Sequence, residues 1–198
     1  MAEKSFRVDW GVFLDRDGTV TEEVGYVNHV SRLRLLPGAA EAIRLLNDAR
    51  VPVALATNQA GVARGYFDET VLQEVMARLG DLLETLGARL DAVYYCPHHP
   101  TAGEPPWRAA CDCRKPKPGM LQRGARELGL DLSRSYVVGD KISDVGFARA
   151  AGAKGLLVLT GYGLGEYTHQ RSRWTWQPEA VVPDLYAAAR WILEKEGL

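Results

Sequence analysis

The sequence predicts an α/β fold, a doubly wound parallel sheet covered by helices on both faces, and three observations predict it. Short apolar runs alternate along the chain with segments of helical periodicity, the pattern of strand–helix–strand units joined by crossovers. The runs are apolar throughout rather than every second residue, as strands buried on both faces must be. The residues able to do chemistry follow the runs, and open parallel sheets bind ligands beyond the carboxyl ends of their strands.

With 198 residues, 46% hydrophobic and 25% charged, the chain suits one globular domain over 1–198 with a full core. A net charge of −1 leaves no electrostatic footprint for binding nucleic acid or an anionic membrane. Residues 1–7 lack the apolar stretch of a secretory leader, and no apolar run reaches spanning length. A cytoplasmic monomer acting on a small molecule is the expectation.

The first apolar run, 8–14, reads as a strand and breaks straight into Asp15-Arg16-Asp17-Gly18-Thr19. In extended chain the two carboxylates share one face, and Gly18 lets the backbone bend so that one meets a substrate while the other approaches from the side. That suits a nucleophile with an acid/base partner, and a divalent cation would offset their repulsion. Residues 20–29 are too polar and irregular for an element, so Glu23, Val24, Gly25 and Tyr26 form a candidate substrate loop. Pro37-Gly38 opens a helix whose Ala42, Ile43, Leu45 and Leu46 make one apolar stripe.

A second strand over 51–56 ends in Thr57-Asn58-Gln59-Ala60-Gly61, a hydroxyl and an amide followed by glycine, which offers a phosphate side-chain and backbone donors. Arg64-Gly65-Tyr66 is a second candidate substrate loop. Asp68 caps a helix running to about residue 86, with Leu72, Val75, Met76, Leu79, Leu82 and Leu83 as its buried stripe. Residues 91–95 read as the third strand, 120–128 as a helix, 135–138 as the fourth strand, 148–151 as a helix and 155–160 as the fifth strand. Gly139-Asp140-Lys141-Ile142-Ser143-Asp144 brings two more carboxylates to a strand end. Gly161-Tyr162-Gly163-Leu164-Gly165 lacks the position and partners of a dinucleotide fingerprint and reads as a loop. The stretch 174–178 carries no signal; a short strand at 180–182 and an amphipathic helix at 185–193 close the chain.

All three cysteines fall in a loop at about 96–113. Cys96-x-His98 and Cys111-x-Cys113 fit a tetrahedral zinc site of three thiolates and one imidazole, His98 being preferred to His99 by the paired spacing. Four strong ligands leave no position for water, so such a zinc is structural. Arg114-Lys115-Pro116-Lys117-Pro118-Gly119 follows, and its alternate prolines stiffen the chain so that a cation can be held rigidly at the sheet edge.

Four motifs in this order, Asp15-x-Asp17-Gly18-Thr19, a strand ending in Thr57-Asn58, Lys115-Pro116-x-Pro118-Gly119 and Gly139-Asp140-x-x-x-Asp144, resemble those of the haloacid dehalogenase-like phosphohydrolases. The fuller strings, among them Tyr94-Tyr95-Cys96-Pro97-His98-His99-Pro100 and Cys111-Asp112-Cys113-Arg114-Lys115-Pro116, resemble a branch of that superfamily that acts on a sugar bisphosphate. The resemblance runs from about residue 12 to 160, and Ala60 stands where serine is expected. It implies an aspartyl-phosphate formed on Asp15, acid/base work by Asp17, and Mg²⁺ held by Asp15, Asp140 and the backbone carbonyl of Asp17. It further implies that Thr57, Asn58 and Lys115 cradle the transferring phosphoryl group, with Asp144 orienting Lys115 or a metal-bound water.

No stretch is long enough for a large cap domain, so short loops must select the substrate: Glu23 to Tyr26, Asn58 to Gly61, Arg64, and Arg114 with Lys141 for a second phosphate. A sister branch acting on histidinol phosphate is the alternative substrate reading. A phospho-acceptor signalling module would want its aspartate at the end of a middle strand, where this chain has Thr57, and a non-catalytic zinc protein would leave both acidic motifs unexplained.

Overall fold

Side chains of the first strand, β1 (Val12–Leu14), point alternately to opposite faces of the sheet. Val12 and Leu14 join one apolar cluster and Phe13 the other, all three fully buried. The computed structural model describes residues 6–198. Five further strands, β2 (Val53–Asn58), β3 (Ala92–Cys96), β4 (Tyr136–Gly139), β5 (Lys154–Val158) and β6 (Ala180–Val182), pair with it in the order β3-β2-β1-β4-β5-β6. Every pairing is parallel.

Helices α1 (Ala39–Asp48), α2 (Glu69–Thr85) and α6 (Leu185–Lys195) bury Ile43, Leu79 and Ile192 on the Val12/Leu14 face. Helices α3 (Gly119–Leu128) and α4 (Ile142–Ala150) bury Leu121 and Phe147 against Phe13 on the other. At roughly 1.5–3 kcal/mol per fully buried large apolar side chain, both faces hold a strand of only three residues in place. Asp68 caps α2 by accepting from Val71 N at 2.9 Å.

Several boundaries differ from the sequence expectation for local reasons. The run from residue 8 becomes strand only at Val12, because Trp10 packs edge-on against Tyr136 at 5.6 Å and Gly11 N–H goes to Ser135 Oγ instead of the ladder. Pro52 has no N–H, and β2 starts after it and carries Thr57 and Asn58 as its own last residues. Helix α4 begins at Ile142 rather than near 148, since Asp144 accepts from Lys141 N and closes its first turn. Residues 161–165 are not simply a loop: α5 (Gly163–Gln170) starts inside them, at a position where any Cβ would collide with the Val158 carbonyl. The 174–178 stretch packs the Trp176 ring over Gly146 of α4. Among the described residues no cap domain covers the sheet; the segment after β1 holds a single 3₁₀ turn, Val30–Arg32.

Candidate active site

Because the chain runs from β1 outward through β2 to β3 and then returns to β4 on the other flank, the strand order reverses beside β1. A crevice must open there, at the carboxyl ends. A cavity of about 440 Å³ occupies that edge, lined by residues that include Asp15, Asp17, Thr57, Asn58, Lys115 and Asp144.

Its floor is a charged cluster. Lys115 Nζ donates to Asp15 Oδ1 at 2.6 Å and to Asp144 Oδ1 at 2.7 Å, with all three side chains nearly inaccessible. Burial works against the ammonium, but the charges of Asp144 and Asp15 outweigh it and hold the Lys115 pKa above the usual lysine value. Burial likewise pushes the Asp144 carboxyl up while Lys115 pulls it down. Asn58 holds the lysine's backbone in a two-point contact, accepting from Lys115 N at 3.0 Å and donating to Lys115 O at 3.2 Å.

Asp140 follows β4 and is fully buried. Its Oδ2 accepts from Tyr162 N at 2.8 Å, whereas its Oδ1 has no hydrogen-bond partner. Burial, then the charge of Asp15, pushes its carboxyl up to about 8. Gly18 (φ 81°) and Gly161 (φ 54°) close over it, and a Cβ on either would strike its carboxylate. Asp15, Asp140 and Asp144 each bring an oxygen within 4.8 Å of the others. A buried acceptor without a donor, in a carboxylate cluster short of positive charge, fits a hard divalent cation. Asp144 has both oxygens engaged already, by Lys115 Nζ and Lys141 N, which leaves Asp15 and Asp140 as the available side-chain ligands.

Asp17 lies on the cavity wall with its carboxylate held from behind. Arg16 reaches Oδ1 through Nε (3.0 Å) and Nη2 (2.9 Å), and Gln59 Nε2 reaches Oδ2 at 2.9 Å.

Of the other residues expected at the site, Glu23, Gly25, Tyr26, Ala60, Arg114 and Lys141 also line the cavity. Glu23 Oε1 accepts from Gly25 N at 2.7 Å, its Oε2 lies 3.5 Å from Lys141 Nζ, and Tyr26 stacks edge-on with Tyr66 at 4.7 Å. Arg114 is pinned by a 3.1 Å bond from Nη1 to the His98 carbonyl. Val24, Gln59, Gly61 and Arg64 do not line it. Val24 packs against the core, Gln59 is buried beneath Asp17, Gly61 abuts Phe67, and Arg64 turns to His99 Nε2 at 3.1 Å. Ser143 and Tyr162 line the cavity without having been expected there. Tyr162 is half-exposed and carries Lys141 Nζ 4.3 Å from its ring centroid.

The cysteine loop abuts the same edge, because Asn58 pairs with Cys96 and Gln59 N donates to Cys96 O at 2.7 Å. Cys96, His98, Cys111 and Cys113 converge, with S–S separations of 3.5 and 3.3 Å and His98 Nδ1 3.8 and 3.5 Å from Cys96 and Cys113. This cluster can hold a metal ion. Burial pushes the Cys96 thiol up, and a coordinated cation would reverse that. His99 points away, accepting at Nδ1 from Ala102 N at 2.9 Å.

Known proteins place this architecture. A family model described as HAD-hyrolase-like matches residues 112–188. The D-glycero-D-manno-heptose-1,7-bisphosphate 7-phosphatase of Thermosynechococcus vestitus is 44% identical over 189 residues, covering 91% of this chain and 94% of that protein. The D-glycero-beta-D-manno-heptose-1,7-bisphosphate 7-phosphatase of Escherichia coli K12 is 37% identical over 184 residues, covering 92% and 87%. The crystal structure of the D,D-heptose 1,7-bisphosphate phosphatase of B. bronchiseptica, complexed with magnesium and phosphate, superposes with a TM-score of 0.82 at 34% identity, covering 94% and 99%. The fold is that of the haloacid dehalogenase-like hydrolases. Within that class, the chain belongs to the D-glycero-D-manno-heptose 1,7-bisphosphate 7-phosphatase family.

Proposed function

We propose that this enzyme removes the C7 phosphate of D-glycero-D-manno-heptose 1,7-bisphosphate, a step toward lipopolysaccharide precursors, through an aspartyl-phosphate on Asp15. The observation that carries the reading is the placing of Asp15 at the end of the central strand, against Lys115 and beside the unpartnered Asp140 oxygen. An Asp15 oxygen attacks phosphorus and the bond from phosphorus to the C7 oxygen breaks, with Asp17 donating a proton to the leaving oxygen. Water then attacks the aspartyl-phosphate, Asp17 takes its proton, and inorganic phosphate leaves with Asp15 restored. Lys115 and Thr57 stabilise charge on the transferring group, and Asn58 sets the lysine's backbone. Asp15, Asp140 and the backbone carbonyl of Asp17 would hold magnesium, which when bound would supply positive charge to offset that of the phosphate.

Arg114 and Lys141 bind the C1 phosphate, the arginine through its planar fork. Arg64, which does not line the cavity, is left out of this set. The cysteine cluster holds a structural Zn²⁺. Zinc–sulfur and zinc–nitrogen bonds of about 2.3 and 2.0–2.1 Å give tetrahedral edges of roughly 3.5–3.8 Å, close to the separations between the ligand atoms. The whole of 1–198 acts as one phosphatase domain, as a cytoplasmic monomer.

The test is kcat/KM on heptose 1,7-bisphosphate, histidinol phosphate and a small monophosphate ester, with Mg²⁺ and with chelator. The proposal expects Mg²⁺-dependent turnover with the bisphosphate preferred; preference for histidinol phosphate, or equal rates on all three, would overturn it.

A further inference from the structure

Arg16 is among the most deeply buried side chains of the molecule, at 1% exposure, although it stands between two acidic residues at the mouth of the site. Nothing in the reaction as proposed uses it. Its guanidinium does not enter the cavity; it lies behind Asp17, with Nη2 contacting Asp17 Oδ2 at 2.8 Å and Gln59 Oε1 at 3.0 Å. Gln59, 4% exposed, faces both ways. Its Oε1 accepts from Arg16, and its Nε2 donates to Asp17 Oδ2 and to Thr57 Oγ1, each at 2.9 Å.

These contacts fix the carboxylate plane of Asp17, since a planar fork and a planar amide grip both oxygens and leave its χ2 no freedom. A partly exposed carboxylate gripped by two buried side chains is held to the sub-ångström tolerance that proton transfer needs. The one amide of Gln59 also ties Asp17 to Thr57, so residues from the ends of β1 and β2 share one frame. We infer that Arg16 and Gln59 are positioning residues that aim Asp17 at the leaving-group oxygen, and that Gln59 acts there rather than as a contact to substrate. This rests on the reading of Asp17 as the acid/base.

Proton donation matters most when the leaving group is a poor one. A sugar alkoxide needs the proton, whereas p-nitrophenolate leaves without it, so an aiming defect must appear as a difference between the two substrates. Gln59→Met keeps the size and removes the amide. It should lower kcat/KM, which reads only the steps up to release of the leaving group and not the water attack shared by both substrates, about 10–100-fold on the heptose bisphosphate, part of the 10²–10⁴ that acid/base catalysis supplies, and several times less on p-nitrophenyl phosphate. Loss of the Thr57 contact falls on both substrates alike and cancels in the ratio. Arg16→Lys, which keeps the charge but not the fork, should show the same split, with melting curves and zinc content recorded to separate misfolding. Asp17→Asn run in parallel distinguishes the two levels of the argument. A split in Asp17→Asn with equal losses on both substrates in folded Gln59→Met and Arg16→Lys would overturn the positioning role and leave the acid/base assignment standing. No split in Asp17→Asn would overturn that assignment itself, and the positioning role with it. Weakened binding of the bisphosphate when Gln59→Met is added to the inactive Asp15→Asn variant would make Gln59 a substrate contact and likewise overturn the inference.

Discussion

The acidic centre and the cysteine loop share one sheet edge and are built in opposite ways. Lys115 meets Asp15 across 100 residues of sequence, and both are held by structure that does not depend on their meeting: β1 for one, the Asn58 contact for the other. Of the four residues of the cysteine cluster only Cys96 sits in the sheet, as the last residue of β3; His98, Cys111 and Cys113 lie outside any helix or strand, where backbone bonds such as His99 N to Trp107 O stay within the loop. A centre assembled by a sheet keeps its geometry when an ion leaves. A loop assembled by its ligands does not, because binding and local folding are there the same free energy. The two meet in the sequence Cys113-Arg114-Lys115, so under the proposed function a metal in the loop would bear on substrate choice through Arg114 and the sheet on chemistry through Lys115.

The sharpest way to break this contrast is Asp15→Asn. Turnover should fall by at least about 10⁴-fold, while zinc content stays at one per chain. Loss of zinc together with activity would show that the two regions are one cooperative unit. Next in size is Arg114→Ala, expected to lower kcat/KM for the bisphosphate by about 10–100-fold, the worth of a charge-assisted hydrogen bond. The small monophosphate ester should suffer far less; equal losses would move Arg114 from substrate choice into the chemistry. Cys111→Ser should abolish the zinc that survives dialysis in wild type and lower the melting temperature, with kcat on the small ester retained in large part, read by metal analysis and thermal scans. Smallest is Asp68→Ala, which removes the cap of α2 but no side-chain contact to the acids or the cysteine cluster and should cost about 1 kcal/mol of stability. Neither kcat nor zinc content should move.

The alternation of strands with helices, the two buried faces and the strand ends at which the acids gather were legible because apolar runs and polar breaks are sequence-local signals. The cysteine pairs were legible for the same reason. What escaped depends on packing across distance. Gln59 follows Thr57 and Asn58 in a phosphate-binding pattern, but only the fold turns its side chain under Asp17. Arg16 was given no role from the sequence; its burial against Gln59 brings together residues 43 apart. Its place inside a pair of catalytic-type aspartates was the one available hint. Arg64 sits in a loop of the right composition but lies beside His99, outside the cavity lining. Helix α5 was hidden by glycines that the Val158 carbonyl and the Asp140 carboxylate require, and with it the cavity position of Tyr162.

The central claim, that the strand-end acids hydrolyse the C7 ester and leave the C1 ester intact, is tested most directly by phosphorus NMR of D-glycero-D-manno-heptose 1,7-bisphosphate incubated with the enzyme and Mg²⁺. The account predicts that the C7 resonance is replaced by inorganic phosphate while the C1 resonance persists, and that Asp15→Asn leaves both unchanged. Release of the C1 phosphate, or conversion by Asp15→Asn at a rate near that of wild type, would contradict it.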